Sequence, residues 1–208
     1  KENLAFLQNE TKAHLHVDLI IGLPGESIEG FGANLDMLYS LTQCEIQIGI
    51  LKKLSGTTLS RHDEEFGMVY SDKPPYDILK NNLISFEQMQ KMKRFARFWD
   101  LVYNSGNFKK AAPLLWRDSS VYQGFYAFSE WIYSQTESTW QISLERLSEL
   151  IFRYLTCVLF HEEKSIKAIL IEDIMGERGR KLPSFLRDEY VPKESKEMSS
   201  KLNKRQLK

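Results

Sequence analysis

The sequence predicts an α/β fold that gives way to mostly α structure, and three observations carry that reading. Residues 14–21 (His-Leu-His-Val-Asp-Leu-Ile-Ile) form a short β-branched run closed by Gly22-Leu23-Pro24-Gly25, the pattern of a buried strand that runs into a tight turn. Ile28, Phe31, Leu35 and Leu38 then recur at helical spacing, and a second strand-like run occupies 45–53. Strand, helix and strand in that order make a βαβ unit, whose parallel strands are joined by a right-handed crossover. From Ser85 onward the apolar residues keep a helical period instead.

Taken in order, residues 1–12 read as the end of a helix with Leu4, Ala5 and Leu7 on its buried side. Ser27 is placed to cap the helix that begins at Ile28. Residues 56–82 are loop-rich, with Gly56, Gly67 and Pro74-Pro75. Ser85 and Gln88 form a capping box ahead of Phe86, Met89, Phe95, Trp99 and Val102,. Asn104-Ser105-Gly106-Asn107 is a stop. The aromatic run Tyr122, Phe125, Tyr126, Phe128, Trp131 and Tyr133 is expected to be core on a further helix. Leu144, Leu147, Ile151, Tyr154, Leu155 and Val158 mark the stripe of another, and residues 166–175 a last one. The final segment, 193–208, holds six basic and two acidic residues and is expected to be disordered,. The domains so predicted are a sheet piece over 1–60, a helical domain over 61–192, and the basic tail. No internal repeat is present.

Composition narrows the classes. The chain has 208 residues, 42% hydrophobic and 27% charged, with 28 Lys+Arg balanced by 28 Asp+Glu. Zero net charge argues against a polyanion partner, so neither nucleic acid nor a membrane surface is implied. No apolar run approaches the ~18 residues of a membrane span, and no signal-peptide pattern opens the chain. A soluble, cytoplasmic protein is the expectation. Cys44 and Cys157 are too few for a disulfide framework, a zinc site or an iron–sulfur cluster,, and read as ordinary half-buried residues. The chain opens at Lys1, already in a helical pattern, and so reads as an excerpt of a longer protein.

Gly22-Leu23-Pro24-Gly25-Glu26-Ser27 sits where a parallel strand turns into a helix. Ligands gather at the carboxyl ends of such strands, and glycines let a backbone come close to them. The segment is not a phosphate-binding loop, because Glu26 stands where that motif needs lysine, and it lacks the third glycine of a dinucleotide fingerprint,. A plain strand–helix turn is the alternative.

The segment from His16 through Gly22-Leu23-Pro24-Gly25-Glu26 resembles the fifth strand of radical S-adenosylmethionine enzymes, especially the branch shared by oxygen-independent coproporphyrinogen dehydrogenase and the cobalamin-binding radical enzymes. Ile46-Gln47-Ile48-Gly49-Ile50-Leu51, continuing through Leu54-Ser55-Gly56-Thr57, resembles the sixth strand and its exit, with Ser55 in place of the usual proline. Pro74-Pro75-Tyr76, Tyr103-Asn104-Ser105-Gly106 and Ile171-Glu172-Asp173 resemble the helical domain of unknown function appended to many cobalamin-type members.

The resemblance implies the last two βα elements of a partial TIM-like barrel. In that family a 4Fe-4S cluster on a Cys-x-x-x-Cys-x-x-Cys loop cleaves S-adenosylmethionine to a 5′-deoxyadenosyl radical, in some members with cobalamin. Carried over by position, Ile20 and Gly22 would lie against the adenine, with Leu23, Pro24 and Gly25 in the same turn and Leu51 or Leu54 on the opposite side. Asp18 occupies the first glycine position of the family's fifth-strand motif and Glu26 falls one place late, so no cofactor role passes to Glu26. The cysteine triad is absent, so the chain alone is expected to bind none of these cofactors and to be inactive. Its implied partners are its own barrel and cobalamin-type portions and an unidentified substrate. The family's reactions include hydrogen abstraction, methylation and oxidative ring chemistry of the magnesium-protoporphyrin monomethyl ester cyclase type. Two other readings remain: a non-catalytic helical interaction module with a βαβ docking platform, and a stand-alone nucleotide-binding α/β protein.

Other polar residues carry less. His14 and His16 share one face of a strand, but no third metal ligand is at useful spacing. His62 reads as part of a solvated helix face and His161 as a surface end. Lys91, Lys93, Arg94 and Arg97 alternate with Phe95, Phe98 and Trp99, which helical spacing resolves into a wet face and a buried stripe rather than a nucleic-acid platform. Gly176 to Lys181 reads as a basic solvated turn. A two-strand parallel piece leaves an unpaired edge and an uncovered face, so the isolated chain is expected to dimerise through its strands or to leave residues 1–55 poorly ordered.

Overall fold

The computed structural model describes residues 6, 10–11, 15–42, 44–176 and 180–189. The expectations for the helix over 1–12, for His14, for the Gly176 to Lys181 turn and for the 193–208 tail lie wholly or largely outside those residues. The architecture is mixed α/β, rich in helix, with two small sheets among the described residues. Strand β1 (His16–Ile21) pairs in parallel with β2 (Glu45–Ile50), and Ile20 stands opposite Gly49. The crossover between them is helix α1 (Ile28–Leu41), which Ser27 caps by accepting the Gly30 N–H at 3.1 Å. The strand, cap and helix expected from the sequence are therefore in place, although β2 stops at Ile50 rather than at 53.

The loop-rich stretch contains elements that the sequence does not announce. Strands β3 (Val69–Tyr70) and β4 (Ile78–Lys80) form a small antiparallel ribbon around a cis Pro74–Pro75 bond. Helix α2 (Phe86–Trp99) begins with the expected capping box, in which the Ser85 hydroxyl accepts the Gln88 N–H and the Gln88 side chain accepts the Ser85 N–H. It runs into a π-helical turn over Asp100–Asn104 and stops at Ser105. Helix α3 (Val121–Thr136) follows.

Apolar residues from α1, α2 and α3 make one aromatic core. The Phe95 ring meets Phe31, Tyr122, Phe125 and Trp99, with ring centroids 5.2–6.2 Å apart. Aromatic pairs of this kind add about 0.5–1.5 kcal/mol each beyond burial. Gly32 of α1 lets Tyr122 of α3 approach, since a β-carbon there would sit 2.5 Å from the ring. As expected for the aromatic run, Phe125 and Phe128 are fully buried, while Tyr122, Tyr126, Trp131 and Tyr133 are half-buried at its margin.

Compact packing divides the chain into residues 1–143 and 144–208. The division does not follow the change of texture at residue 60, because the helices after that point supply the core that covers the βαβ unit. The second unit contains α4 (Leu144–Arg153), a π-helical turn (Tyr154–Val158) and α5 (Glu163–Met175). Its short 3-10 turn at Ser184–Glu189 is tied to α4 through Ser184, whose N–H and hydroxyl donate to the Glu145 carboxylate at 3.0 and 2.9 Å. The π turn shifts the helical phase, which is why Val158, read as part of the apolar stripe, is exposed. Cys157 on the same turn is exposed rather than half-buried, whereas Cys44 is half-buried as expected. Among the described residues no helix is long and apolar enough to cross a membrane.

Candidate functional site

The alternation along β1 and β2 separates two faces. Val17, Leu19, Ile21, Ile46, Ile48 and Ile50 point one way, with Ile21 and Ile46 fully buried. His16, Asp18 and Ile20 of β1, with Gln47 and Gly49 of β2, remain exposed on the other. A β-carbon on Gly49 would meet nothing within 4 Å. The open face is thus polar toward the strand starts and bare toward their carboxyl ends, where Ile20 is its one apolar side chain.

The turn that follows β1 is shaped by two glycines. Gly22 has φ 94° and Gly25 has φ 76°, both in the region that disfavours side chains,. A β-carbon on Gly22 would fall 2.8 Å from Ile78 Cγ2 and 3.2 Å from Met89 Cε, so the close approach it permits is to the protein's own core. The Phe66 ring occupies the equivalent space beside Gly25. Glu26 closes the turn by donating its N–H to the Leu23 carbonyl at 3.2 Å. One of its carboxylate oxygens accepts from Asn34 Nδ2 at 3.0 Å, and the other is buried without a partner. Burial pushes the Glu26 carboxyl above the ordinary carboxylate range, and the Asn34 hydrogen bond opposes this only partly.

The residues picked out from the sequence therefore divide. Ile20 and Leu23 are each 37% exposed and Leu54 is 55% exposed, so all three present side chains outward. Pro24 is half-buried and Gly25 exposed in the same turn. Gly22 and Leu51 are buried. Leu51 joins the strand ends by donating to the Ile21 carbonyl at 3.0 Å and accepting from the Ile78 N–H at 2.8 Å.

The outer edge of β2 is not open. Trp99 Nε1 and Asn104 Nδ2 both donate to the Ile46 carbonyl, at 2.9 and 3.0 Å. Side chains from the end of α2 and from the π turn thus cover β2 at Ile46. The outer edge of β1 has no strand partner among the described residues.

Charges near the strand ends are paired internally. Lys53 binds the Asp63 carboxylate and lies 5.2 Å from the centre of the Tyr70 ring, and Lys93 pairs with Asp77 at 3.0 Å. Burial, reinforced by Asp63, pushes the Tyr70 phenol up to about 12. The cations of α2 are engaged in the same way. Lys91 and Arg94 meet Glu130, and Arg97 meets Asp100. His62, expected on a solvated face, is half-buried against the Phe66 ring. Among the described residues no group of His, Cys, Asp or Glu has the geometry to hold a metal ion.

Sequence reasoning missed a cavity of about 670 Å³ at the opposite end of β2, bordered by Tyr39, Cys44, Glu45, Tyr103, Asn104 and Lys109. Its only sequence trace is Asn104-Ser105-Gly106-Asn107, whose reading as a helix stop is correct but does not disclose the π turn over Asp100–Asn104.

The fold is that of a helix-rich mixed α/β protein with one exposed face on its parallel strand pair. A family model for a protein of unknown function, DUF4080, matches residues 64–208, more than two thirds of the chain. The chain belongs to that family. No curated protein and no solved structure matches it.

Proposed function

We propose that this chain is the carboxyl-terminal portion of a radical S-adenosylmethionine enzyme of the cobalamin-binding type, in which β1 and β2 form the last strands of a partial barrel. The observation that carries this reading is the open face at the carboxyl ends of β1 and β2. Ile20 stands exposed there beside Gly49, over which space is free. A flat purine needs such a shelf, with branched apolar contact and a close backbone rather than charge. Family membership lends support, since this domain is associated with cobalamin-binding radical S-adenosylmethionine proteins.

In this reading Ile20 touches one face of the adenine, Leu23 and Leu54 border it, and the Gly22–Gly25 turn holds the strand end in shape. Gly22 acts from beneath, through Ile78 and Met89, rather than by contact. Bound elsewhere in the enzyme, a 4Fe-4S cluster supplies the electron for S-adenosylmethionine cleavage. Cys44 and Cys157 do not make the three-thiolate set that such a cluster needs, so its ligands would come from outside these 208 residues. The edge of β1 that has no strand partner among the described residues is where the barrel's preceding strand would pair, or a second copy when this chain stands alone.

The test uses the gene product with its upstream sequence, reconstituted without oxygen. Ile20→Asp and Gly49→Val are each expected to weaken S-adenosylmethionine binding tenfold or more, about 1.4 kcal/mol, with the thermal midpoint unchanged. Unaltered affinity in both variants would remove the shelf from the account and favour the non-catalytic interaction module.

A further inference from the structure

We propose that the cavity at the amino-terminal end of β2 is a binding site for a small organic amine with an apolar body. It lies at the opposite end of the strand from Ile20 and Gly22, so it is separate from the shelf described above and does not depend on it. Its volume of about 670 Å³ falls in the range of small-molecule sites,.

The walls suit an apolar body. The Tyr39 and Tyr103 rings lie 5.9 Å apart and tilted by 56°, with Phe108 and Pro113 beside them. The polar groups determine which ligand is bound, and the donors of Ser105, Thr42 and Asn104 are already engaged. The Ser105 hydroxyl donates to the Leu101 carbonyl at 2.7 Å. The Thr42 hydroxyl donates to Cys44 Sγ at 2.9 Å. Asn104 donates through Nδ2 to the Ile46 carbonyl, which leaves its Oδ1 buried and without a partner. The Glu45 carboxylate receives Gln47 Nε2 on one oxygen, at 3.2 Å.

These four side chains offer acceptors, and the Tyr39 and Tyr103 hydroxyls beside them can accept as well as donate,. Two helix ends add to them: the carboxyl end of α1 at Tyr39 and Thr42, and that of the π turn at Tyr103 to Ser105, both lining the cavity. Helix carboxyl ends carry partial negative charge, and aromatic faces attract cations. Burial, with Tyr39 and Cys44 nearby, pushes the Tyr103 phenol up to about 12, so it stays neutral. π turns of this kind recur at functional sites.

One cation borders the cavity. Lys109 lies across Gly106, its Cε 3.3 Å from where a β-carbon would be, and has no ion-pair partner among the described residues. Its ammonium sits in the field that a ligand amine would occupy, so it competes with the ligand rather than anchoring it. A carboxylate ligand would need the reverse, with Lys109 as its anchor.

The test titrates the full 208-residue chain with phenethylamine, and in parallel with 3-phenylpropionate, following tryptophan fluorescence. Saturable binding of the amine is expected, weakened tenfold or more in Glu45→Gln and strengthened severalfold in Lys109→Ala. Location is read from N-ethylmaleimide labelling: the amine should slow modification of Cys44 and leave exposed Cys157 unchanged as an internal control. Lys109 is exposed, so its variant folds even where Glu45→Gln does not. The proposal is overturned by binding of 3-phenylpropionate that Lys109→Ala abolishes, by amine binding indifferent to Glu45→Gln in a folded variant, by no saturation with the amine, or by no protection of Cys44.

Discussion

The two faces of the β1–β2 sheet are built from the same twelve strand residues and have opposite fates. One is sealed by the aromatic core of α1, α2 and α3, with Ile21 and Ile46 fully buried. The other carries Asp18, Ile20, Gln47 and Gly49 into solvent. The period-two alternation of a strand makes this division without any further device. Stability is concentrated on the sealed face, which leaves the residues of the open face free to be chosen for a ligand.

Substitutions on either face test that division. The largest effect is expected from Phe95→Ala, which empties the centre of the sealed face and should cost about 3–5 kcal/mol in chemical denaturation. A loss below about 1 kcal/mol would mean that the aromatic core is not what holds the helices to the sheet. Gly22→Ala should follow, at about 2–3 kcal/mol, since the new methyl meets Ile78 at 2.8 Å on a backbone with φ 94°,. If Gly22→Ala were neutral, the turn would be looser than its contacts indicate. Ile20→Ser on the open face should change stability by no more than about 0.5 kcal/mol, and a larger loss would show that this face is covered in the folded chain.

The smallest effect is a dependence on pH. The Glu26 carboxyl titrates higher in the folded chain than its ordinary 4.5 because it is partly buried. The folded state therefore holds its proton over a pH range in which the unfolded state has lost it, and stability falls as pH rises above about 4.5 through that range. Glu26→Gln keeps an acceptor for Asn34 and removes the titration. The wild type should accordingly lose ground to the variant between pH 4 and pH 7, measured as the difference of urea midpoints. A difference of the opposite sign would place that carboxylate in a stabilising ion pair instead.

Much of the sealed face was legible in the sequence. The spacing of Ile28, Phe31 and Leu35, the cap at Ser27 and the Ser85–Gln88 box all rest on interactions within a few residues. So did the turn at Gly22, although its sequence context suggested ligand contact and the structure fills that side with Ile78 and Met89. Contacts far apart in sequence were not legible. Trp99 and Asn104 reach Ile46, more than fifty residues away, and close the edge of β2. The antiparallel ribbon of β3 and β4 is only two and three residues long, too short to leave a period. Both π turns lie within continuous helical patterns, so nothing in the spacing of Asp100–Asn104 or Tyr154–Val158 distinguishes them from α-helix.

The proposed purine-binding shelf at Ile20 and Gly49 is the claim on which the functional reading stands or falls. Its most direct measurement is the yield of 5′-deoxyadenosine from S-adenosylmethionine by the anaerobically reconstituted full-length protein under reducing conditions. The account requires product in the wild type and a sharp decrease in Ile20→Asp. An iron-free protein that releases no 5′-deoxyadenosine, or a variant as productive as the wild type, would contradict it.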